Sequence, residues 1–366
     1  MSRVLLVTPL YPPDVGGPAT HAVFVESQLS KFDFQIEHCY FGEVKRFPYI
    51  IRHIIFFAKI LKSAKYVDTV YALDPLGVGL PAGLAAKILG KKFVLRVAGD
   101  RAWETGVQEF GVKDTLDDFA RNQYHSLPIF VIKTGQKLCA ALADKIIVPS
   151  EYLKLIVVSW GVRAEKMNVV HSAYESQNLP NKETLREELG VKGFSVVSAG
   201  RLVSWKGFKA LIELWPEVMA SRGDATLTII GDGPERETLE QLVRLLRLDD
   251  VVKFTGNVSR TEVLQRVRAA DLFVLNTGYE GLSHQLLEVM DMGTPIITTR
   301  IGGNPELVED GKDGMLVEYN NRTQLLTAMC ELIENPIKAR LFTQNAKEKL
   351  KHFDSASVAK KLAVLL

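Results

Sequence analysis

The stretch "FSVVSAGRLVSWKGF", residues 194–208, opens on a short apolar run and closes on two cations set among glycines. A continuous apolar, β-branched run bounded by a turn signal fits a strand buried on both faces of a parallel sheet. Gly200 and Arg201 form a tight turn at its end, and Lys206-Gly207 follows five residues on. Arginine offers a planar fork and lysine a mobile point charge, a pair suited to a diphosphate. A solvated loop with ordinary surface cations is the competing reading.

The same grammar recurs along the chain. "RVLLVT" (3–8), "DTVYAL" (68–73), "KFVLRV" (92–97), "DKIIVPS" (144–150) and "MNVVHS" (167–172) form one series. "ATLTIIGDG" (225–233), "VVKFTG" (251–256), "DLFVLN" (271–276), "TPIITT" (294–299) and "GMLVEY" (314–319) continue the second. Strands alternating with helical stretches predict α/β folding: two Rossmann-like, doubly wound parallel-sheet domains facing a cleft, with ligands at the carboxyl ends of the strands. The polar, proline-bearing stretch 174–185 reads as a linker. The expected domains are 1–178 and 179–345, with a C-terminal helix in 346–366 returning to the first.

At 366 residues the chain exceeds one core's reach, so two domains are expected on size as well. Hydrophobic content of 47% and charged content of 24% suit a globular protein. A net charge of +2 excludes a strongly basic nucleic-acid binder on bulk charge. Cys39, Cys139 and Cys330 lack metal or redox spacing and read as buried thiols in a reducing compartment. The start of the chain lacks a signal-peptide cleavage site, and no uncharged run is long enough to span a bilayer. A cytoplasmic protein is expected, with peripheral attachment to the inner membrane face left open.

Each strand end of the second half carries a small-residue turn. In "IIGDGPER" the place of a third dinucleotide-fingerprint glycine holds Arg236, so a nicotinamide site is weakly signalled. Gly231 and Gly233 instead suit close approach of a ligand to the backbone. In "FTGNVS" (254–259), Gly256, Asn257 and Val258 offer backbone groups to a nucleobase edge. Glu280 falls in the loop after "DLFVLN", and Ser283 caps the helix that follows, whose first N–H groups favour an anion. Glu288 lies about one and a half turns inside that helix, among Leu286, Leu287, Val289 and Met290. A carboxylate there suits two ribose hydroxyls; an ordinary surface glutamate is the alternative.

Together these residues resemble family 4 of the retaining glycosyltransferases, which have the GT-B fold. The likeness rests on G-R-x(4)-K-G at 200–207, G-D-G-P at 231–234, E-x(7)-E at 280–288 and "DMGTPIITTRIGGNPELVEDGKDGMLV" at 291–317. "TPLYPPDVGGPATHA" (8–22) resembles the family's N-terminal glycine loop. The resemblance implies that Arg201 and Lys206 neutralise the diphosphate of a sugar nucleotide, Glu288 binds its ribose and Glu280 its sugar. Backbone groups of Gly281, Leu282 and Ser283 would approach sugar and phosphate, and Gly16 and Gly17 would close over the phosphates. It implies a hexosyl transferase in polysaccharide or glycolipid synthesis, with a glycan or lipid-linked acceptor and no cofactor. No D-x-D triplet occurs in the chain, so no metal is expected.

One position departs from the family. Where it often has a histidine, this chain has Ala98, followed by Gly99 and Asp100. Asp100 is the nearest ionisable substitute and a candidate catalytic residue; a structural ion pair is the other reading. Residues 45–65 carry six Lys/Arg and no acid. As a helix they would set Arg52, Lys59 and Lys62 on one side, for an anionic membrane surface, or form a core helix with a basic edge. Rival functions are an epimerase or phosphorylase of the same fold, or a non-catalytic sugar-nucleotide-binding subunit.

Overall fold

The computed structural model describes residues 1–14, 16–122 and 126–366. The chain divides into two compact units, Met1–Ala173 with Ser355–Leu366, and Tyr174–Asp354.

The first unit is a parallel sheet of β1 (Ser2–Thr8), β2 (Phe34–Tyr40), β3 (Thr69–Ala72), β4 (Lys92–Arg96), β5 (Lys145–Val148) and β6 (Met167–Val169), in the order β2-β1-β3-β4-β5-β6. Val7 of β1 pairs with Cys39 on one side and Ala72 on the other. Strand β2, "FQIEHCY", is an addition to the strands read from sequence. It is an edge strand on which only Cys39 is buried, so it lacks the apolar run that marks its neighbours. Helices Gly17–Leu29 and Ser355–Leu365 pack together against the sheet, sharing a core of Ala22, Val25, Leu29, Val358 and Leu362.

The second unit holds β7 (Ser195–Ala199), β8 (Thr226–Ile230), β9 (Val252–Gly256), β10 (Leu272–Leu275), β11 (Ile296–Thr299) and β12 (Met315–Val317), ordered β12-β11-β10-β7-β8-β9 and parallel throughout. Successive side chains of β7 enter opposite cores: Val196 packs with Leu227 and Leu272, Val197 with Ile230 and Phe273. This two-residue alternation explains why the strand is apolar along its whole length. From β7 the chain first winds outward through β8 and β9, then returns to place β10 on the other flank of β7. The switch point therefore lies between β7 and β10, where ligands of open α/β sheets bind.

Three expectations about organisation change. The stretch 174–185 belongs to the second unit rather than linking the two. Tyr174 packs on its core, Ser176 Oγ donates to Asp291 at 2.8 Å, and Asn181 caps the helix Lys182–Glu188. The crossing to the first unit comes at Ser355 rather than 346, because Ala346, Leu350 and Phe353 are buried with Leu286 and Met290. The helix Tyr49–Ala64 presents a different face from the one expected. Phe56 and Ile60 are its buried anchors, Lys59 pairs with Glu43, and Arg52 lies over the Phe41 ring at 5.7 Å. Among the described residues no helix is long and apolar enough to cross a membrane.

Candidate functional site

The loops at the carboxyl ends of β7 to β12 are bound to one another by their backbones. Gly200 N–H donates to the Ile230 carbonyl at 2.9 Å, and Leu202 N–H to the Asp232 carbonyl at 3.0 Å. Gly231 N–H donates to the Gly256 carbonyl at 3.0 Å. Close approach of the Gly200 carbonyl is why glycine stands at 231: its φ is +128°, and a Cβ would strike that oxygen. Arg236, in the place of a third fingerprint glycine, reaches back to Asp232 and Glu240, and its Nη1 would lie 2.9 Å from a Cβ on Gly256. That turn is closed by a side chain, where a dinucleotide fingerprint needs it bare.

The Lys206 turn is stapled across the switch point. Gly278 N–H donates to the Trp205 carbonyl at 2.7 Å, and Tyr319 Oη to the Ser204 carbonyl at 3.1 Å. Buried Asn276 donates to the Gly207 carbonyl at 3.1 Å and to Asn320 Oδ1 at 2.9 Å, while Asn320 N–H returns a bond to Asn276 Oδ1. With the turn held there, the Lys206 ammonium donates to Glu280 Oε1, both side chains being largely shielded from solvent. Glu280 is fixed from behind as well: Gly303 N–H donates to its carbonyl at 3.0 Å.

Ser283 caps the helix His284–Met292, its Oγ accepting from Leu286 N–H at 3.3 Å. Gly281 and Leu282 are buried beside it. Glu288 is mostly shielded and accepts from Arg260 Nε at 2.6 Å through one carboxylate oxygen. Arg260 opens the helix Arg260–Ala269, which follows the turn containing exposed Asn257 and half-buried Val258. Arg201 is exposed and has no ion-pair or side-chain hydrogen-bond partner among the described residues. The second unit thus brings together Gly200, Arg201, Lys206, Gly231, Gly233, Gly256, Glu280 and Ser283 around one set of strand ends, with Glu288 farther along the same helix. Sequence reasoning missed Arg260, Tyr319 and the Asn276–Asn320 pair. Their signals were faint: one more arginine after a cap, and two residues beyond the last strand.

In the first unit, Gly16 (φ +152°) precedes the helix Gly17–Leu29, and Gly17 has open space where a Cβ would lie. Asp100, the candidate catalytic residue of the first unit, has a structural task in the fold. It is 1% exposed and caps the helix Arg101–Glu109, accepting from Trp103 N–H at 3.0 Å, Gln136 Nε2 at 3.2 Å and Trp160 Nε1 at 3.1 Å. Among the described residues, these three donors hold the carboxylate at the helix start. Among the described residues no group of three His, Cys, Asp or Glu is placed to hold a metal ion.

Residues 181–349 match the model of the family described as glycosyl transferases group 1. An uncharacterized glycosyltransferase of Haemophilus influenzae is 29% identical over 203 residues, 55% of this chain and 55% of that protein. A second, from Methanocaldococcus jannaschii, is 25% identical over 355 residues, covering 95% of this chain and 93% of that one. The chain thus spans little more than half the length of the first relative and nearly all of the second. Among solved structures, HepE of Anabaena in complex with UDP and glucose superposes with a TM-score of 0.78 at 20% identity, covering 100% of this chain and 99% of the other. That likeness establishes the fold as GT-B, two Rossmann-like α/β units.

Proposed function

We propose that the chain is a retaining glycosyltransferase of family 4, moving a hexose from a nucleotide-diphosphate sugar to a glycan or lipid-linked acceptor. The observation that carries this reading is the meeting of Lys206 and Glu280 across the β7–β10 switch point, with Glu288 beyond them on the helix that Ser283 caps. Arg201 and Lys206 neutralise the departing diphosphate, helped by the first N–H groups of that helix. Glu280 accepts hydrogen bonds from the sugar hydroxyls, and Glu288 uses the oxygen that Arg260 leaves free to accept from the ribose. The bond from the anomeric carbon to the phosphate oxygen breaks as an acceptor hydroxyl oxygen bonds to the same face of the sugar. The hydroxyl proton passes to a donor phosphate oxygen. Charge stabilisation by these groups needs no metal, and the chain is assigned to the cytoplasm, working at the inner membrane face.

The neighbour solved with UDP and glucose and the relatives named as glycosyltransferases support this reading over an epimerase, a phosphorylase or a non-catalytic subunit. Hydrolysis of a panel of UDP-, GDP- and ADP-sugars tests it. One donor should be cleaved well above the rest, faster with acceptor glycan present. Tight donor binding without cleavage of any panel member would point to a binding subunit instead.

A further inference from the structure

Three carbonyl groups of the turn that carries Lys206 are bound from outside it. The Ser204 carbonyl accepts from Tyr319 Oη at 3.1 Å, the Trp205 carbonyl from Gly278 N–H at 2.7 Å and the Gly207 carbonyl from Asn276 Nδ2 at 3.1 Å. Asn276 and Gly278 belong to the loop after β10, and Tyr319 to the loop after β12. Strand β12 is at the edge of the sheet, with β11 and β10 between it and β7. A short turn is therefore fastened to the ends of two other strands, one of them distant.

The fastening has little slack. Asn276 is buried, and its amide is matched at both ends: Nδ2 donates to Asn320 Oδ1 at 2.9 Å, and Oδ1 accepts from Asn320 N–H at 3.1 Å. That pairing fixes which way the amide points, so a nitrogen and not an oxygen faces the Gly207 carbonyl. Asn320 returns its bond from φ +57°, a left-handed conformation that non-glycine residues rarely adopt. Gly207 has φ +59°, and a Cβ on it would lie 2.2 Å from the Asn276 carbonyl oxygen. The turn thus rests directly on the backbone of the next strand's loop. Burial pushes the Tyr319 hydroxyl above the ordinary phenol range, which keeps it a donor. Backbone held in rare conformations by surroundings that over-determine it is found where geometry has a task.

What the turn presents is one flexible side chain. The Lys206 ammonium meets Glu280, and a lysine stem can swing its charge only around its own Cα. At a reacting centre, a misplacement of about 1 Å costs on the order of 100-fold in rate.

We infer that Asn276 and Tyr319 are positioning residues for Lys206, holding its backbone so that the ammonium can pass from Glu280 to the departing diphosphate. The inference rests on the transferase reading of this site. A released diphosphate bears more negative charge than a sugar-linked one, so a well-placed cation favours the leaving group over the bound donor. Losing that placement should lower kcat and nucleotide affinity while sparing the donor KM.

The test is steady-state kinetics of Tyr319→Phe and Asn276→Ala, each alone and combined with Lys206→Ala. Tyr319→Phe keeps the ring and removes one bond; it should lower kcat about tenfold, and Asn276→Ala about 100-fold, with donor KM moving less than about twofold. In the Lys206→Ala background neither change should lower kcat by more than about twofold further, because the group they place is gone. A residue that only supports the fold would keep its full effect there, and that result overturns the inference. An unchanged kcat in Tyr319→Phe overturns it too, and this variant decides alone if Asn276→Ala unfolds. Calorimetric titration with UDP, GDP and ADP separates the inference from the reading beneath it. Suppose the chain cleaves no sugar nucleotide, yet Tyr319→Phe weakens nucleotide binding only while Lys206 is present. The transferase reading then falls and the positioning role stands. Wild type that binds none of the three nucleotides overturns both.

Discussion

Lys206 and Glu280 are ion-paired to each other across the switch point, although each is assigned to a different part of the donor. On the reading proposed above, the cation is thereby held beside the donor's sugar before any phosphate arrives, and the acid is kept from standing as an uncompensated charge. Donor binding must exchange this pair for a phosphate on one side and hydroxyls on the other. Lys206→Ala should therefore cut turnover about 100-fold or more. Its effect should not add to that of Glu280→Gln, because each change alters the other residue's surroundings. Steady-state rates of the two single variants and the double variant check this; simple multiplication of the losses would show that the pair is incidental.

Arg260 leaves one oxygen of Glu288 available. Replacing Glu288 by Gln removes charge-assisted bonds worth roughly 1.5–3 kcal/mol each, so the donor dissociation constant should rise about tenfold or more. Arg260→Ala should raise it less, since the carboxylate remains. Calorimetric titration of both variants with the preferred donor distinguishes them, and a larger loss from the arginine would reverse the assignment.

Gly302 has φ +62°, and a Cβ there would press on the carbonyl oxygen of Glu280. Gly302→Ala should cost about 1–3 kcal/mol in strain, or push the Glu280 loop forward. Both outcomes predict a lower melting temperature or a lower turnover. A variant matching wild type in both would mean that the 302–303 loop moves away at no cost.

Asp271 ties the start of the second unit together, pairing with Lys182 at 2.7 Å and Arg186 at 2.9 Å and accepting from Ser195 N–H at 2.9 Å. Burial alone would push its carboxyl up, but these partners outweigh it and hold it below the ordinary carboxylate range. The folded form thus prefers the ionised acid. That stability is present in full above the unfolded pKa and is lost as pH falls through the folded one. Asp271→Asn should lower the melting temperature at neutral pH and flatten its decline in acid. Thermal unfolding from neutral pH to about pH 3 reads this directly.

Activity should persist in excess EDTA, because Arg201, Lys206 and a helix start supply the charge that a metal would otherwise bring. Loss of hydrolysis restored only by Mg²⁺ or Mn²⁺ would reveal a metal site.

Much of the fold was legible because buried parallel strands write themselves as apolar runs, as in Val196–Val197 and Leu272–Leu275. Edge strand β2 escaped because one side of it faces no partner, and its Gln35, Glu37 and His38 break the run. The glycines of the second unit's strand-end turns were legible through their spacing. What they do was not: Gly231 and Gly302 answer carbonyl groups far away in sequence. Asp100 misled for a related reason. Its position next to a family motif was visible, whereas the Trp160 indole and the Gln136 amide that bind it come from distant segments, beside the nearby Trp103 backbone N–H. In the helix Tyr49–Ala64 the cations were legible and their partners were not, since Glu43 and Phe41 lie outside it.

The helix Ser355–Leu365 closes the core laid down by the first 173 residues, and the Leu366 carbonyl is held by Thr69 and Lys92 at 3.0 Å each. During synthesis, the half that emerges first must wait for residues 355–366 before its hydrophobic interior is sealed. The half translated later carries all its own strands and can fold on emergence. Chaperone dependence should therefore fall on the early half, and a released chain truncated after residue 354 should show a finished second unit beside an unfinished first.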